Sequence, residues 1–123
     1  MAEALKDLDS TVTEYVNDLR AAKRAPGTIR NDETDLAMWA AWVRSQPDAP
    51  AKLADVRKPH VAHYLAERIE IEAVGTVHSR PARLRAFFKW CEREEIVTRS
   101  PMHNIPEPRL DDEPPVVLTL PQL

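Results

Sequence analysis

The sequence predicts a small all-α bundle of four helices followed by an extended C-terminal linker. Three observations predict it. Apolar residues recur at helical spacing in four segments between residues 11 and 94. The chain holds only 2 glycines, too few for the many tight turns of a sheet-rich fold. Most of the prolines lie late in the chain, between residues 101 and 121, and its 123 residues suffice for one such core.

The first helix is expected over residues 11–23, where Thr11 and Glu14 form a T-x-x-E capping box. After a proline–glycine break, the second helix is expected to begin at Thr28, a good N-cap, and to end near Ser45. Their apolar faces hold Val12, Tyr15, Val16 and Leu19, and then Ile29, Leu36, Trp39, Ala40 and Val43.

The third helix is expected to follow residues 53–56 and to end at Gly75. The fourth is expected to end near residue 94, but Pro81 lies in its first half and would cost an internal hydrogen bond. We therefore favour a start at Ser79 over a kinked helix that begins at Thr76. The apolar faces of these two helices hold Val61, Tyr64, Leu65 and Ile69, and then Leu84, Phe87, Phe88 and Cys91.

Composition divides the chain into four parts. Residues 1–8 are expected to be a flexible N-terminus and residues 9–102 the helical domain. Residues 103–117 are rich in proline and acidic side chains, which predicts an extended linker. Residues 118–123 resemble the start of a further helix, which suggests that another domain follows.

Several classes of protein and site are disfavoured. No apolar run approaches the roughly 18 residues of a membrane span. The single cysteine, Cys91, cannot form an internal disulfide, so we expect a cytoplasmic protein, and its place on an apolar stripe favours a core role. His60 and His63 share one helix but lack a third ligand. We expect no metal, no cofactor, no small-molecule ligand and no membrane partner.

The distribution of charge points toward nucleic acid, although the net charge of −3 does not. Residues 19–31 and 73–91 contain no Asp or Glu, and each stretch covers the start of a helix. Basic side chains beside the unpaired N–H groups of a helix start suit phosphate oxygens. The same pattern also fits a merely solvated helix face. The bases of the two stretches are Arg20, Lys23, Arg24 and Arg30, and then Arg80, Arg83, Arg85 and Lys89, with His78.

Helical geometry indicates which of these side chains point outward. In the second helix Arg30, Asn31 and Thr34 fall opposite the apolar face, and an asparagine there is suited to read an adenine edge. In the fourth helix Arg83 and Arg85 flank the outward face, which is formed by His78, Ser79, Ala82, Lys89 and Arg93. Arg80 falls on the core side if that helix runs unbroken.

Several segments, in order, resemble the core-binding (SAM-like N-terminal) domain of tyrosine recombinases, the phage integrase family. Residues 25–31 with Leu36 and Trp39 resemble the opening of that domain's second helix, and residues 75–77 with 84–88 resemble its fourth. The remaining similar segments are 53–56 with Val61 and Tyr64-Leu65, 96–101 with Ile105-Pro106, and Pro115 with Leu118-Thr119. The chain departs from the family pattern at Asp32, Ser79, Pro81, Glu95 and Ser100.

The resemblance implies a four- to five-helix orthogonal bundle that clamps one face of duplex DNA through its second and fourth helices. It implies no catalytic residue in this chain, because the family's tyrosine nucleophile and its helpers lie in a separate domain. Other recombinase protomers would be partners on the DNA. Together, charge and resemblance nominate as DNA-binding residues Lys23, Arg24, Thr28, Arg30, Asn31, His78, Ser79, Arg80, Arg83, Arg85 and Lys89.

A different class of function also fits the sequence. Trp42 and Trp90 flank the predicted core and would suit the docking surface of a small helical protein-interaction module. A regulatory integrase remnant without DNA-binding activity is a further alternative. Tyr15 and Tyr64 lie on apolar stripes and are expected to be core residues.

Overall fold

The computed structural model of the chain describes the backbone of residues 4–69 and 74–105 and the side chains of residues 4–69 and 80–105. Within these residues there are four α-helices, one short 3-10 turn and no strand, which confirms the predicted all-α bundle. No helix in the described part is long and apolar enough to cross a bilayer. The elements are α1 (Leu8–Ala21), α2 (Pro26–Arg44), the 3-10 turn (Leu53–Asp55), α3 (Lys58–Ile69) and α4 (Val74–Arg93).

Aromatic rings at the centre of the bundle join α2 and α4 to each other and to α1. Trp39 meets Phe88 edge-on at a centroid distance of 5.3 Å, and Tyr15 meets Phe87 in the same way at 5.2 Å. Such pairs contribute about 0.5–1.5 kcal/mol each beyond their buried area. The predicted apolar faces of α2 and α4 are fully buried, as expected. Of the other predicted core residues, Ile69 ends α3 and is 52% exposed, and Val12 and Leu19 of α1 are partly buried.

The two threonines predicted to be N-caps, Thr11 and Thr28, instead lie inside α1 and α2. Thr11 lies in the first turn of α1, and its Oγ1 donates to the Asp7 carbonyl at 2.8 Å instead of capping a helix of its own. The predicted capping box is therefore wrong. Helix α2 starts two residues before Thr28, because Pro26 occupies its first turn, where a missing N–H costs nothing.

Helices α1 and α4 end in the same way, without glycine. Lys23 has a φ of 61°, and the N–H groups of Lys23 and Arg24 donate to the carbonyls of Arg20 and Leu19. Glu95 has a φ of 63°, with the same hydrogen-bond pattern at the end of α4. This is the Schellman arrangement, in which the residue after the cap adopts the left-handed region that usually favours glycine.

Helix α4 begins earlier than the favoured prediction. It starts at Val74, so Gly75 lies inside it rather than ending α3, and Pro81 lies in its interior. A proline there removes one helical hydrogen bond. Tertiary contacts offset the lost hydrogen bond, because Pro81 itself is buried and the adjacent Arg80 forms an ion pair with Asp35 of α2. The start at Ser79 is therefore wrong.

Both ends of the described chain pack on the bundle. Leu5, expected within a flexible N-terminus, is fully buried, and its N–H donates to the Pro50 carbonyl at 2.9 Å. The Arg44 guanidinium donates to the Leu5 carbonyl at 3.0 Å. After α4, Val97 and Met102 are buried in the same core. The predicted linker from residue 106 onward lies outside the described residues.

Candidate nucleic-acid interface

The corner between α1 and α2 gathers exposed basic side chains. The left-handed turn at Lys23 places Lys23 and Arg24 between the two helices, and both are exposed. Arg20, Arg24 and Arg30 line one open groove of about 440 Å³, in which Glu33 is the only acidic residue. The sequence placed Arg20 in an acid-free stretch but did not nominate it. The groove brings it beside two residues that were nominated.

The first turns of α2 present polar side chains to solvent, as the helical geometry predicted for Arg30 and Asn31. Thr28, Arg30 and Asn31 are exposed, whereas Ile29 between them is buried. These three side chains therefore extend the basic corner along the outer side of α2. We refer to Lys23, Arg24, Thr28, Arg30 and Asn31 together with Arg20 as the corner surface.

Helix α4 contributes less free charge than its sequence suggests. Arg80 is 7% exposed, and its Nη1 donates to Asp35 Oδ1 at 2.7 Å. Arg83 Nη1 donates to the other oxygen, Asp35 Oδ2, at 2.6 Å. One carboxylate of α2 thus holds two arginines of α4. Arg80 has a structural role at the junction, which is the outcome expected for an unbroken helix.

Asp32 adds a second carboxylate to this junction. Its Oδ1 lies 3.9 Å from Arg83 Nε, and its side chain is largely buried. Burial raises the pKa of the Asp32 carboxyl above its ordinary value, and the nearby Arg83 offsets part of that rise. The acid-free stretch 19–31 ends directly before Asp32, and Asp32 and Asp35 lie beside the bases of α4, so the sequence pattern overstated the charge available on α4. The same ion pairs fix the early turns of α2 beside α4.

The other candidates on α4 differ in their surroundings. Arg85 is half-buried, and its Nη1 donates to the carbonyls of Met102 and Ile105 at 3.4 and 3.2 Å. Lys89 is exposed. The side chains of His78 and Ser79 lie outside the described residues. Of the α4 candidates, we therefore include the exposed Lys89 and the partly exposed Arg83 in the candidate interface.

The tryptophans are engaged within the bundle. Trp90 is 4% exposed, so the prediction of a flanking position is wrong, and its indole N–H donates to Asp18 Oδ2 at 2.8 Å. Trp42 is half-buried and donates to Glu67 Oε1 at 3.2 Å. Because one ring is buried and both indole N–H groups are used, no observation favours a tryptophan docking surface.

The remaining reactive side chains are part of the core. Cys91 is fully buried, as predicted, and burial raises the pKa of its thiol to about 12. Burial likewise raises the pKa of the Tyr15 phenol to about 12, and Tyr64 is buried as predicted. His60 accepts the Arg57 N–H at Nδ1, 2.9 Å away, so that nitrogen helps fix the start of α3. Neither a thiolate nor a phenolate is available to these groups near neutral pH.

Comparison with known proteins agrees with the resemblance noted in the sequence. Residues 12–95 match the family described as Phage integrase, N-terminal SAM-like domain. The tyrosine recombinase XerC of Chlamydia muridarum (strain MoPn / Nigg) is 26% identical over 127 aligned positions, which cover 89% of this chain. The chain spans 40% of the length of that relative. No solved structure matches significantly. Since the family match takes in well over half of the chain, this protein belongs to the phage integrase N-terminal SAM-like domain family.

Proposed function

We propose that this chain is the DNA-binding domain of a site-specific tyrosine recombinase, which clamps one face of duplex DNA through α2 and α4 during integration or recombination. The observation that carries the proposal is the corner surface, where three arginines converge on one open groove. Membership of the phage integrase N-terminal domain family supports DNA as the ligand. The corner surface and Lys89 hold the cations, and the ion pairs at Asp35 keep the two helices in register.

Each part of this surface has a distinct task on DNA. The basic side chains neutralise phosphates, and this contribution to binding affinity does not depend on DNA sequence and decreases as the salt concentration rises. They are Arg20, Lys23, Arg24 and Arg30. Asn31 and Thr28 project beside them from the first turns of α2, where an amide is able to read the N6 and N7 edge of an adenine. Lys89 supplies a phosphate contact from α4. Arg83 forms an ion pair with Asp35 that orients the two helices, and its side chain remains partly accessible to the DNA.

The parent protein is proposed to cut and rejoin DNA, as the name of its relative implies. In that view this chain provides no catalytic group and no cofactor site, and strand cleavage by the parent protein takes place outside this chain. Further recombinase protomers would be its protein partners on DNA, and the compartment would be the cytoplasm. The linker proposed between the two domains would begin after Ile105 rather than at residue 103, because the Ile105 carbonyl accepts a hydrogen bond from Arg85.

A salt titration tests the proposal on the chain itself. Contact with about four to six phosphates predicts that log K for duplex DNA falls with log salt at a slope of roughly −4 to −5. The double variant Arg30→Glu/Lys89→Glu is expected to abolish binding, measured by fluorescence anisotropy, with an unchanged helical signal. The matched control is Lys6→Glu/Lys52→Glu, which makes the same charge change at two exposed lysines outside this surface.

Two results would contradict the proposal. The first is an absence of binding to duplex DNA at low salt. The second is equal loss of binding in the control, because that would show attraction by net charge alone rather than by this surface.

A further inference from the structure

A second basic groove lies on a part of the bundle that the corner surface does not include. It has a volume of about 410 Å³ and is formed between the segment that enters α3 and the segment that follows α4. Arg57 and Lys58 line one side, and Arg99 and His103 line the other. All four side chains are exposed. We refer to these four residues as the second groove.

No carboxylate among the described residues lines the second groove, and none of them forms an ion pair with its four basic side chains. This differs from α4, where Asp35 and Asp32 compensate the arginines. Like charges around one opening repel each other and cost stability unless an anion binds between them. The neutral polar residues of the lining are Thr98, Ser100 and Asn104, and hydroxyl and amide side chains of this kind hydrogen-bond phosphate oxygens.

Both walls of the second groove are anchored in the core, so its shape exists before any ligand binds. On the first wall His60 Nδ1 accepts the Arg57 N–H, and the His60 carbonyl accepts the indole N–H of buried Trp39 at 3.0 Å. On the second wall Met102 is 1% exposed, and its carbonyl accepts a hydrogen bond from Arg85. A preformed site loses little freedom on binding, which favours recognition of a rigid polyanion.

We propose that the second groove binds the sugar–phosphate backbone of nucleic acid, as a contact separate from the corner surface. The inference rests on the proposed function, because the second groove would bind a further segment of the same nucleic acid. The groove offers cations and neutral hydrogen-bonding groups to phosphate and sugar oxygens, and such contacts contribute affinity and orientation rather than sequence preference.

The test compares three double variants of the full chain on one DNA duplex across a range of salt concentrations. Arg57→Gln/Arg99→Gln alters the second groove, Arg24→Gln/Arg30→Gln alters the corner surface, and Lys6→Gln/Lys52→Gln is the control with the same change in charge. If each groove arginine neutralises one phosphate, the slope falls in magnitude by about 1.8 and Kd rises about 60-fold at 0.1 M salt. The control is expected to stay within about threefold of the unmodified chain, since it removes no phosphate contact.

A second readout uses inorganic pyrophosphate and follows backbone amide resonances by NMR. Perturbation centred on Arg57, Lys58, Arg99 and His103, lost in the groove variant, supports the inference. The inference is overturned if the groove variant binds DNA like the control while the corner variant weakens. If the unmodified chain does not bind DNA at all, the proposed function fails, and an absence of pyrophosphate shifts then overturns the groove as well.

Discussion

Replacement of Asp35 by alanine tests how strongly one carboxylate joins α2 to α4. The Asp35 side chain is 6% exposed, and its two oxygens accept hydrogen bonds from Arg80 and Arg83 at 2.7 and 2.6 Å. A hydrogen bond to a charged group contributes roughly 1.5–3 kcal/mol, and breaking a buried ion pair costs about 3–5 kcal/mol. The bond to Arg83 counts for less, because that side chain is 31% exposed and partly screened by water.

These figures predict that Asp35→Ala lowers the free energy of unfolding by about 3–4 kcal/mol. That is a large part of the roughly 5–15 kcal/mol typical of a single domain. Urea unfolding followed by far-ultraviolet circular dichroism measures it, and a slope of ~1.5–2 kcal/mol/M places the midpoint about 2 M lower. Glu14→Ala, an exposed acid in α1, is the control and is expected to stay within about 0.5 kcal/mol.

A double-mutant cycle separates the ion pair from general damage to the core. The cycle compares Arg80→Met, Asp35→Leu and the two together. Arg80→Met alone leaves Asp35 with Arg83 only, whereas the double variant replaces both buried charges by apolar side chains. The double variant is expected to recover part of the loss, with a coupling energy of about 2 kcal/mol. The reasoning is refuted if Asp35→Ala costs under about 1 kcal/mol, or if the losses of Arg80→Met and Asp35→Leu simply add in the double variant.

Two further substitutions address backbone features of α4 and are measured by the same urea unfolding. Pro81→Ala restores a helical N–H, but it removes part of a buried ring and increases the entropy of the unfolded chain, so the free energy of unfolding is expected to change by less than about 1 kcal/mol; a gain above about 2 kcal/mol would show that tertiary contacts do not offset the proline. Glu95→Gly relieves a residue at a φ of 63° and is expected to stabilise by about 0.5–1 kcal/mol. Glu92→Gly, inside the helix, should instead destabilise by about 1 kcal/mol, and equal effects at the two positions would argue against the left-handed end.

Helix faces were predictable because a repeat of 3.6 residues already assigns each apolar side chain to a side. Trp39 and Phe88 were placed in the core from spacing alone, and both are fully buried. Helix starts were less predictable because several local signals compete. Thr11 carries a good capping pattern, yet the chain continues helical back to Leu8, where burial of Leu5 and Leu8 adds stability beyond the cap.

The sequence predicts the candidate interface only where the exposure of a side chain depends on its neighbours along the chain. Exposure of Arg30 and Asn31 follows from the face of α2. The pairing of Arg80 with Asp35 joins residues 45 positions apart, which no periodic pattern encodes. The second groove likewise depends on the meeting of Arg57 with Arg99, since neither stretch is conspicuously basic in the sequence.

The burial of Leu5 and Met102 determines where this domain can be cut. The family match covers residues 12–95, whereas the hydrophobic core also includes Leu5, Leu8, Val97 and Met102, each no more than 5% exposed. An expression fragment trimmed to the matched range would lack four core side chains and would expose the apolar surface beneath them. Fragments for crystallisation or binding work should therefore retain residues 4–105, a span that keeps both terminal segments on the bundle.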